Sequence, residues 1–513
     1  MHMAPRQAVL GIDDGAFFYG SKRVFSGVTF LLDDARTALV GENGVGKSTL
    51  LKCLAGEEEL NRGKIVRSRG LRVGYLPQEV PPGLGDLTVR AVLQRSLDRI
   101  GLENDDWRID VLLDEIEIPA GMADRTFGQL SGGWQRLMLI AGAAKLEEPD
   151  ILVLDEPTNH LDIGNINTLE GWLTTRIRLP MLIVSHDRAF LGRVSTRTLF
   201  LRGDGVHAFK VPFLEAREEL LRRDAADAVR ARLEDKEIKR LEKVAARYRV
   251  WGVKNDKFDK RAKATLKRIE RIEATRAEVY RPVDRRIELG DGDLDARAAL
   301  RVHDLTVTTP DGARTLVRID RLAIAPGDCV ALLGVNGAGK STLLNALAGA
   351  WDPRNPYYDS AAAVRFNPAC RLVYFDQSLR DLPLDASLVD YLIDADGVTE
   401  KDALRGLAQA GFPFARVREP IAILSFGERS RLAFLKMKLM RPNLYLLDEP
   451  TSHLDIEGQE DLETQLEETD VACIFVSHDR FFTRAVATRF LEIRRGRLVE
   501  VENADGFFGG WVG

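Results

Sequence analysis

The feature that most constrains this chain is that it carries the same string twice. GENGVGKSTLLKCLAG occupies 41–56 and GVNGAGKSTLLNALAG occupies 334–349, an offset of 293 residues. Three further strings recur in the same order: LSGGWQR and LSFGERS begin at Leu130 and Leu424, LDEPTNHLD and LDEPTSHLD at Leu154 and Leu447, and VSHDR at Val184 and Val476. Their offsets are 294, 293 and 292. Four strings in register mean one domain present in two copies. The copies are expected over 1–211 and 286–513. Each alternates short Val-, Ile- and Leu-rich segments with helical ones, the pattern of a parallel sheet flanked by helices. ILVLDEP and LYLLDEP predict buried central strands. The expected fold class is therefore α/β, two P-loop domains in tandem.

The segment between the copies, 212–285, is of another kind: its single glycine is Gly252, and it predicts two long helices. In the second, Phe258, Ala262, Thr265, Ile269, Ile272 and Val279 recur at spacings of three, four or seven, a seam suited to an antiparallel hairpin with its tip at 250–256. Residues 236–276 hold 15 Lys and Arg against 6 Asp and Glu, while the whole chain carries −5. The basic charge is thus concentrated on the hairpin, although the overall balance argues against generic nucleic-acid affinity. A solvated spacer and a phosphate-binding arm are both open readings of such a run. No apolar run reaches the ~18–20 residues of a membrane helix, and the start lacks a charged-then-apolar leader pattern. The four cysteines form no CxxC pair, so neither a zinc site nor a disulfide framework is indicated. A cytoplasmic protein without a membrane partner is expected.

Gly41-x4-Gly46-Lys47-Ser48 and Gly334-x4-Gly339-Lys340-Ser341 are P-loops. Glycine lets backbone N–H groups wrap phosphates, lysine reaches the β- and γ-oxygens, and the serine hydroxyl ligates Mg²⁺. The nucleotide-contacting set is Gly41, Asn43, Gly44, Gly46, Lys47, Ser48 and Thr49, with Gly334, Asn336, Gly337, Gly339, Lys340, Ser341 and Thr342 in the second copy. Asp155 and Asp448 close apolar strands, where a carboxylate can hold Mg²⁺ or its water. Glu156 and Glu449 follow them and are assigned as general bases, a surface or capping carboxylate being the plainer alternative. His186 and His478 end the runs LIVSHD and IFVSHD, where they can contact a γ-phosphate and the attacking water or serve a structural end. Gln78 in YLPQE and Gln377 in YFDQS are candidate Mg²⁺ or water ligands. Ser131, Gly132 and Gly133 begin a helix whose free N–H groups and dipole suit a phosphate.

Taken together, these P-loops, LSGG-type signatures, LDEPT strings and SHD strings resemble the ATP-binding cassette superfamily. Two cassettes on one chain, the charged helical linker and the extended LDEPTNHLD and LDEPTSHLD strings resemble in particular the ABC-F family of ribosome-acting ATPases. The resemblance implies a head-to-tail cassette pair closing on two ATP molecules with Mg²⁺, in a monomer. Each signature would then serve the other cassette's nucleotide, Ser425 and Gly427 joining Lys47 and Ser131 to Gly133 joining Lys340. It also implies a ribosomal partner, with the hairpin entering from the tRNA exit site toward tRNA and ribosomal RNA. Lys254, Lys257, Lys260, Arg261, Lys263, Lys267 and Arg268 would meet phosphates there. Trp251 can stack on a base or pack the hairpin's end.

The chain departs from the pattern at Phe426, where the family has glycine. Tyr19 stands where cassettes stack an aromatic ring on adenine, but TVTTPDG, the matching stretch of the second copy, has no aromatic, and Tyr19 is equally a plausible surface or core tyrosine. Only 53 positions separate Gln78 from Ser131, too few for an inserted arm. A general translation factor and an antibiotic-resistance factor are both compatible with these features, as is, in another class, the ATP-binding subunit of a transporter.

Overall fold

A computed structural model describes every residue except 1–8, 21, 160, 253–255, 276–288, 291, 293, 310, 352–362, 377–378, 380–381, 396, 453 and 510–513. The chain falls into two compact units, Met1–Pro212 with Asp284–Gly513, and Phe213–Val283. Gln377, Lys254 and Val279 lie outside the described residues.

In the first cassette a six-stranded sheet runs in the order Val73–Leu76, Ile151–Asp155, Met181–Val184, Arg36–Gly41, Arg197–Arg202, Gly205–Phe209. All neighbours are parallel except the last pair. Every residue of Ile151–Asp155 is buried, as a central strand covered on both faces requires. A separate antiparallel sheet, Lys22–Leu32, Leu10–Tyr19 and Arg62–Arg67, completes this half. Between the sheets Leu39, Leu50, Leu54, Val153 and Leu182 form part of one core. In the second cassette the two sheets are continuous over nine strands, joined by the parallel bridge Arg318–Arg497. Its P-loop strand, Cys329–Leu333, lies between Ala472–Val476 and Arg489–Arg494, as Arg36–Gly41 lies between Met181–Val184 and Arg197–Arg202. In both copies the P-loop therefore leaves the carboxyl end of a central parallel strand, where α/β sheets bind ligands.

The other unit contains two helices, Phe213–Gly252 and Asp256–Ala274. Forty residues at 1.5 Å each make the first about 60 Å long. Their seam joins Ile238 and Leu241 to Leu266, Ile269 and Ile272, and Ala262 is buried. The contact between Glu237 and Arg268 at one end and between Tyr248 and Phe258 at the other gives the antiparallel sense. Leu266 packs in this seam, whereas Thr265, expected there, turns its hydroxyl to the carbonyl of Arg261 at 2.9 Å. A threonine can satisfy its own helix, so the bulkier neighbour takes the apolar position.

Candidate nucleotide sites

Left-handed glycines shape both P-loops. Gly44 and Gly46 have φ of 81° and 98°, and Gly337 and Gly339 have 78° and 100°. A Cβ on Gly46 would meet Val24 at 2.5 Å, and one on Gly339 would meet Leu316 at 2.8 Å, so any side chain there would be both strained and crowded. A Cβ on Gly41 would stand 2.4 Å from the Leu201 carbonyl. Lys47 and Lys340 open the helices Lys47–Ala55 and Lys340–Trp351, which also carry Ser48, Thr49, Ser341 and Thr342. Each lysine turns back on its own loop: Lys47 Nζ donates to the carbonyls of Gly41 (2.7 Å) and Glu42 (3.0 Å), Lys340 Nζ to those of Gly334 (2.7 Å) and Val335 (3.3 Å). Burial holds both ammonium groups below their usual pKa, against the opposing pull of nearby carboxylates. A phosphate arriving in the loop would add negative charge that favours the ammonium form of each lysine.

At the strand ends, Asp155 and Asp448 hydrogen-bond Ser48 and Ser341. Burial raises both carboxyls, Asp448 to about 6. Among the described residues, Oδ1 of each is buried without a hydrogen-bond partner. An unsatisfied carboxylate oxygen beside a serine hydroxyl fits a hard cation that takes its remaining ligands from water and phosphate. Among the described residues no cluster of three or more His, Cys, Asp or Glu could hold a metal by itself. Gln78 follows Val73–Leu76 and its side is exposed, as a ligand approached from solvent should be.

Glu156 and Glu449 have left-handed backbones, φ 48° and 49°, a conformation costly for any residue but glycine. Their N–H groups donate to Val184 and Val476 at 2.9 Å, which locks the turn and keeps the side chains buried. Oε2 of each accepts the backbone N–H of its histidine, His186 or His478, at 3.2 Å. The imidazole Nε2 atoms stand 3.3 and 3.5 Å from Oε1. Desolvation lifts both glutamates to about 7 and lowers His478 to about 4. Two carboxylates poised near neutrality, each facing a histidine, can take a proton from water.

The signature serines cap helices. Ser131 accepts from Trp134 N at 3.5 Å at the start of Gly132–Ala141, and Ser425 accepts from Glu428 N at 3.3 Å at the start of Phe426–Leu439. Gly133 is packed: a Cβ there would strike the Asn165 amide at 2.5 Å. Among the described residues neither serine hydrogen-bonds the opposite P-loop. Another residue makes that crossing: Asn43 N donates to Asp455 Oδ2, from the second cassette, at 2.9 Å. The field of Asp455 reaches Lys47, and that of Asp162 reaches Lys340. Burial opposes ionisation of Asp455, but the N–H groups of Asn43 and Gly458 and the charges of His186 and Lys47 hold it below the ordinary carboxylate range. Each P-loop is thus faced by an aspartate of the other cassette.

Sequence reasoning passed over Asp162, Asp455 and Arg136. The aspartates end the repeated LDEPT strings, so their signal was present. Arg136 was not: it is 3% exposed and lies one turn into the signature helix. It donates to the carbonyls of Pro77, Gln78 (3.2 Å), Glu156 (3.1 Å) and Asp155, tying the glutamine turn to the strand end that carries Asp155 and Glu156.

Tyr19 is 55% exposed, its ring edge-on to Phe17 at 5.0 Å, and so presents a free face. On the hairpin, Lys257, Lys260, Arg261, Lys263, Lys267 and Arg268 are all exposed, although Arg268 pairs with Glu237 at 3.3 Å and Arg261 lies over Phe258 at 5.8 Å. Trp251 packs edge-on to Phe258 at 5.5 Å while remaining half exposed.

The family model described as "ABC transporter" matches residues 28–159 and 318–452. The ATP-binding protein Uup of Caulobacter vibrioides is 34% identical over 99% of this chain and 80% of its own length. ABC transporter F family member 5 of Arabidopsis thaliana is 28% identical over 95% of this chain and 76% of its own. Among solved structures, an RNase-L inhibitor superposes with a TM-score of 0.63 at 20% identity, covering 96% of this chain and 92% of that one. An archaeal ribosome recycling factor, solved with a ribosomal stalk protein, gives 0.60 at 20%, covering 94% and 89%. These last two show the shared tandem-cassette fold. With both family matches falling on the repeated P-loop halves and near full-length relatives in the F branch, the chain belongs to the ABC-F family of twin-cassette ATPases.

Proposed function

We propose that this protein is a cytoplasmic, monomeric ATPase that binds two ATP molecules between its cassettes and uses them to act on the ribosome. The observation that carries the composite-site reading is the contact of Asn43 with Asp455, by which one P-loop is completed from the other cassette. In this reading Lys47 and Lys340 hold phosphate oxygens, and Ser131 to Gly133 and Ser425 with Gly427 close on the nucleotide bound opposite. Tyr19 stacks on one adenine. Mg²⁺, when bound at Ser48, Gln78 and Asp155 or at Ser341, Gln377 and Asp448, neutralises phosphate charge. Glu156 and Glu449 accept the proton of the attacking water, oriented by His186 and His478. The exposed cations of the hairpin support contact with ribosomal RNA and tRNA. Among ribosomal roles we favour a general factor that regulates or rescues translation, because the sequence expected to form the hairpin tip, VWGVKND at 250–256, is short.

The test is co-sedimentation of the Glu156→Gln, Glu449→Gln protein with purified ribosomes, with and without ATP. The expected result is ATP-dependent pelleting that high salt abolishes. Fractionation with membranes instead would favour a transporter's ATP-binding subunit. A rise in minimum inhibitory concentrations of ribosome-targeting antibiotics in expressing cells would favour the resistance role.

A further inference from the structure

Each SHD string is followed by an arginine that the nucleotide chemistry leaves unused. Arg188 is 5% exposed and Arg480 is 1% exposed. Both reach into the other cassette. Arg188 donates from Nη1 to Glu463 Oε2 at 3.1 Å, from Nη2 to Glu463 Oε1, and from Nη2 to Asp479 Oδ2 at 3.1 Å. Arg480 donates from Nη1 to Asn167 Oδ1 at 3.3 Å and from Nη2 to Glu170 Oε1, and it stands 3.8 Å from Asp187 Oδ2. Arg193 also faces Glu170, at 2.7 Å, and the Phe481 ring lies 5.1 Å from the Arg188 guanidinium. Glu170 and Glu463 are 293 positions apart, so the two bridges are copies of each other generated by the internal repeat.

The carboxylates where the bridges meet are not remote from the reaction. Asp187 and Asp479 directly follow His186 and His478. They cap the helices Arg188–Val194 and Arg480–Val486, accepting from Phe190 N at 2.9 Å and from Phe481 N and Phe482 N at 2.8 and 3.0 Å. The backbone N–H of each histidine in turn holds the candidate general base of its cassette. Arg188 therefore hydrogen-bonds the segment that positions histidine and glutamate in the other cassette, and Arg480 stands within ion-pair distance of the matching segment in the first. Moving one segment alone would strand buried charges, which is far costlier than moving both together.

We infer that Arg188 and Arg480 are positioning residues that couple the two ATPase sites, so that turnover at one depends on the state of the other. The inference rests on the reading of Glu156 and Glu449 as the bases of separate sites.

The experiment measures steady-state ATP hydrolysis by the full chain, well below its unfolding temperature. In the parental background, Glu449→Gln should lower total turnover more than about fivefold, beyond the twofold expected of independent sites, with a Hill coefficient above one. In the Arg188→Gln, Arg480→Gln background, Glu449→Gln should cost only about twofold and the Hill coefficient should fall to about one. A role confined to stability would lower the unfolding temperature and leave the Hill coefficient where it was. Should the glutamine pair fail to fold, the apolar replacement Arg188→Met, Glu463→Leu with Arg480→Met, Glu170→Leu removes both arginine–glutamate pairs together, leaving Asp187 and Asp479 their backbone N–H donors and Arg193 partly open to solvent. Coupling that persists in the folded variant, or independent sites in the parental chain, overturns the inference. If Glu156→Gln and Glu449→Gln each leave hydrolysis unchanged, the assignment of the bases has failed instead.

Discussion

In the first cassette the signature helix runs from Gly132 to Ala141 and then widens into a π-helical turn, Gly142–Leu146; in the second it runs from Phe426 to Leu439 unbroken. The repeat offset explains the difference. It is 294 at the signatures but 293 at the LDEPT strings, so the first cassette holds one extra residue between them. A π-turn is how a helix absorbs one residue without shifting what lies on either side. Asp155 and Asp448 consequently keep matching strand-end positions. The supports around them have diverged. Arg136, which braces four carbonyls in the first cassette, is matched at the signature offset by buried Ser430, too short to span them. Glu428 forms a capping box with Ser425 and pairs with Arg416 at 2.9 Å, whereas the matching residue of the first cassette is Trp134. The lesson is that reactive groups were held in register while their surroundings drifted, so the two sites are chemically alike and mechanically different.

Four measurements separate what the two cassettes share from what they do not. The largest effect belongs to what the sites share: Glu156→Gln with Glu449→Gln should lower phosphate release by about 10²- to 10⁴-fold, and retention of more than a tenth of the rate would remove the glutamates as bases. Next comes what they do not share. Arg136→Met strands buried carbonyls and should cost about 3 kcal/mol in denaturant unfolding, against under about 1.5 kcal/mol for Ser430→Ala; equal costs would make the bracing difference irrelevant.

The pH profile tests the likeness again. Burial raises both glutamates to about 7, and a base works only when ionised, so kcat/KM should rise with pH and level off above about 7 to 8. Below pH 6 it should fall about tenfold per unit. His478, held down to about 4, stays neutral across that window and adds no opposing limb. A flat profile would mean that another step limits turnover. The smallest effect concerns Tyr19: Tyr19→Ala should raise the KM for ATP about two- to tenfold at one site alone, visible as a biphasic saturation curve.

Much of this molecule was legible in the chain. The P-loops, the buried strands ending in Asp155 and Asp448, the histidines and the helical hairpin all rest on local regularities: glycine spacing, apolar runs, helical period. Even the π-turn left a trace, as a change of one in the repeat offset. What the strings did not disclose is partnership. Asn43 meets Asp455 across 412 positions, Arg480 meets Glu170 across 310, and Arg136 lies buried although an arginine normally reads as surface. Short-range pattern determines which groups a chain carries and where along a strand or helix they sit. Which carboxylate a buried arginine finds is decided only when two cassettes close on each other, because the cost of leaving either charge unpaired exists only once water has been excluded.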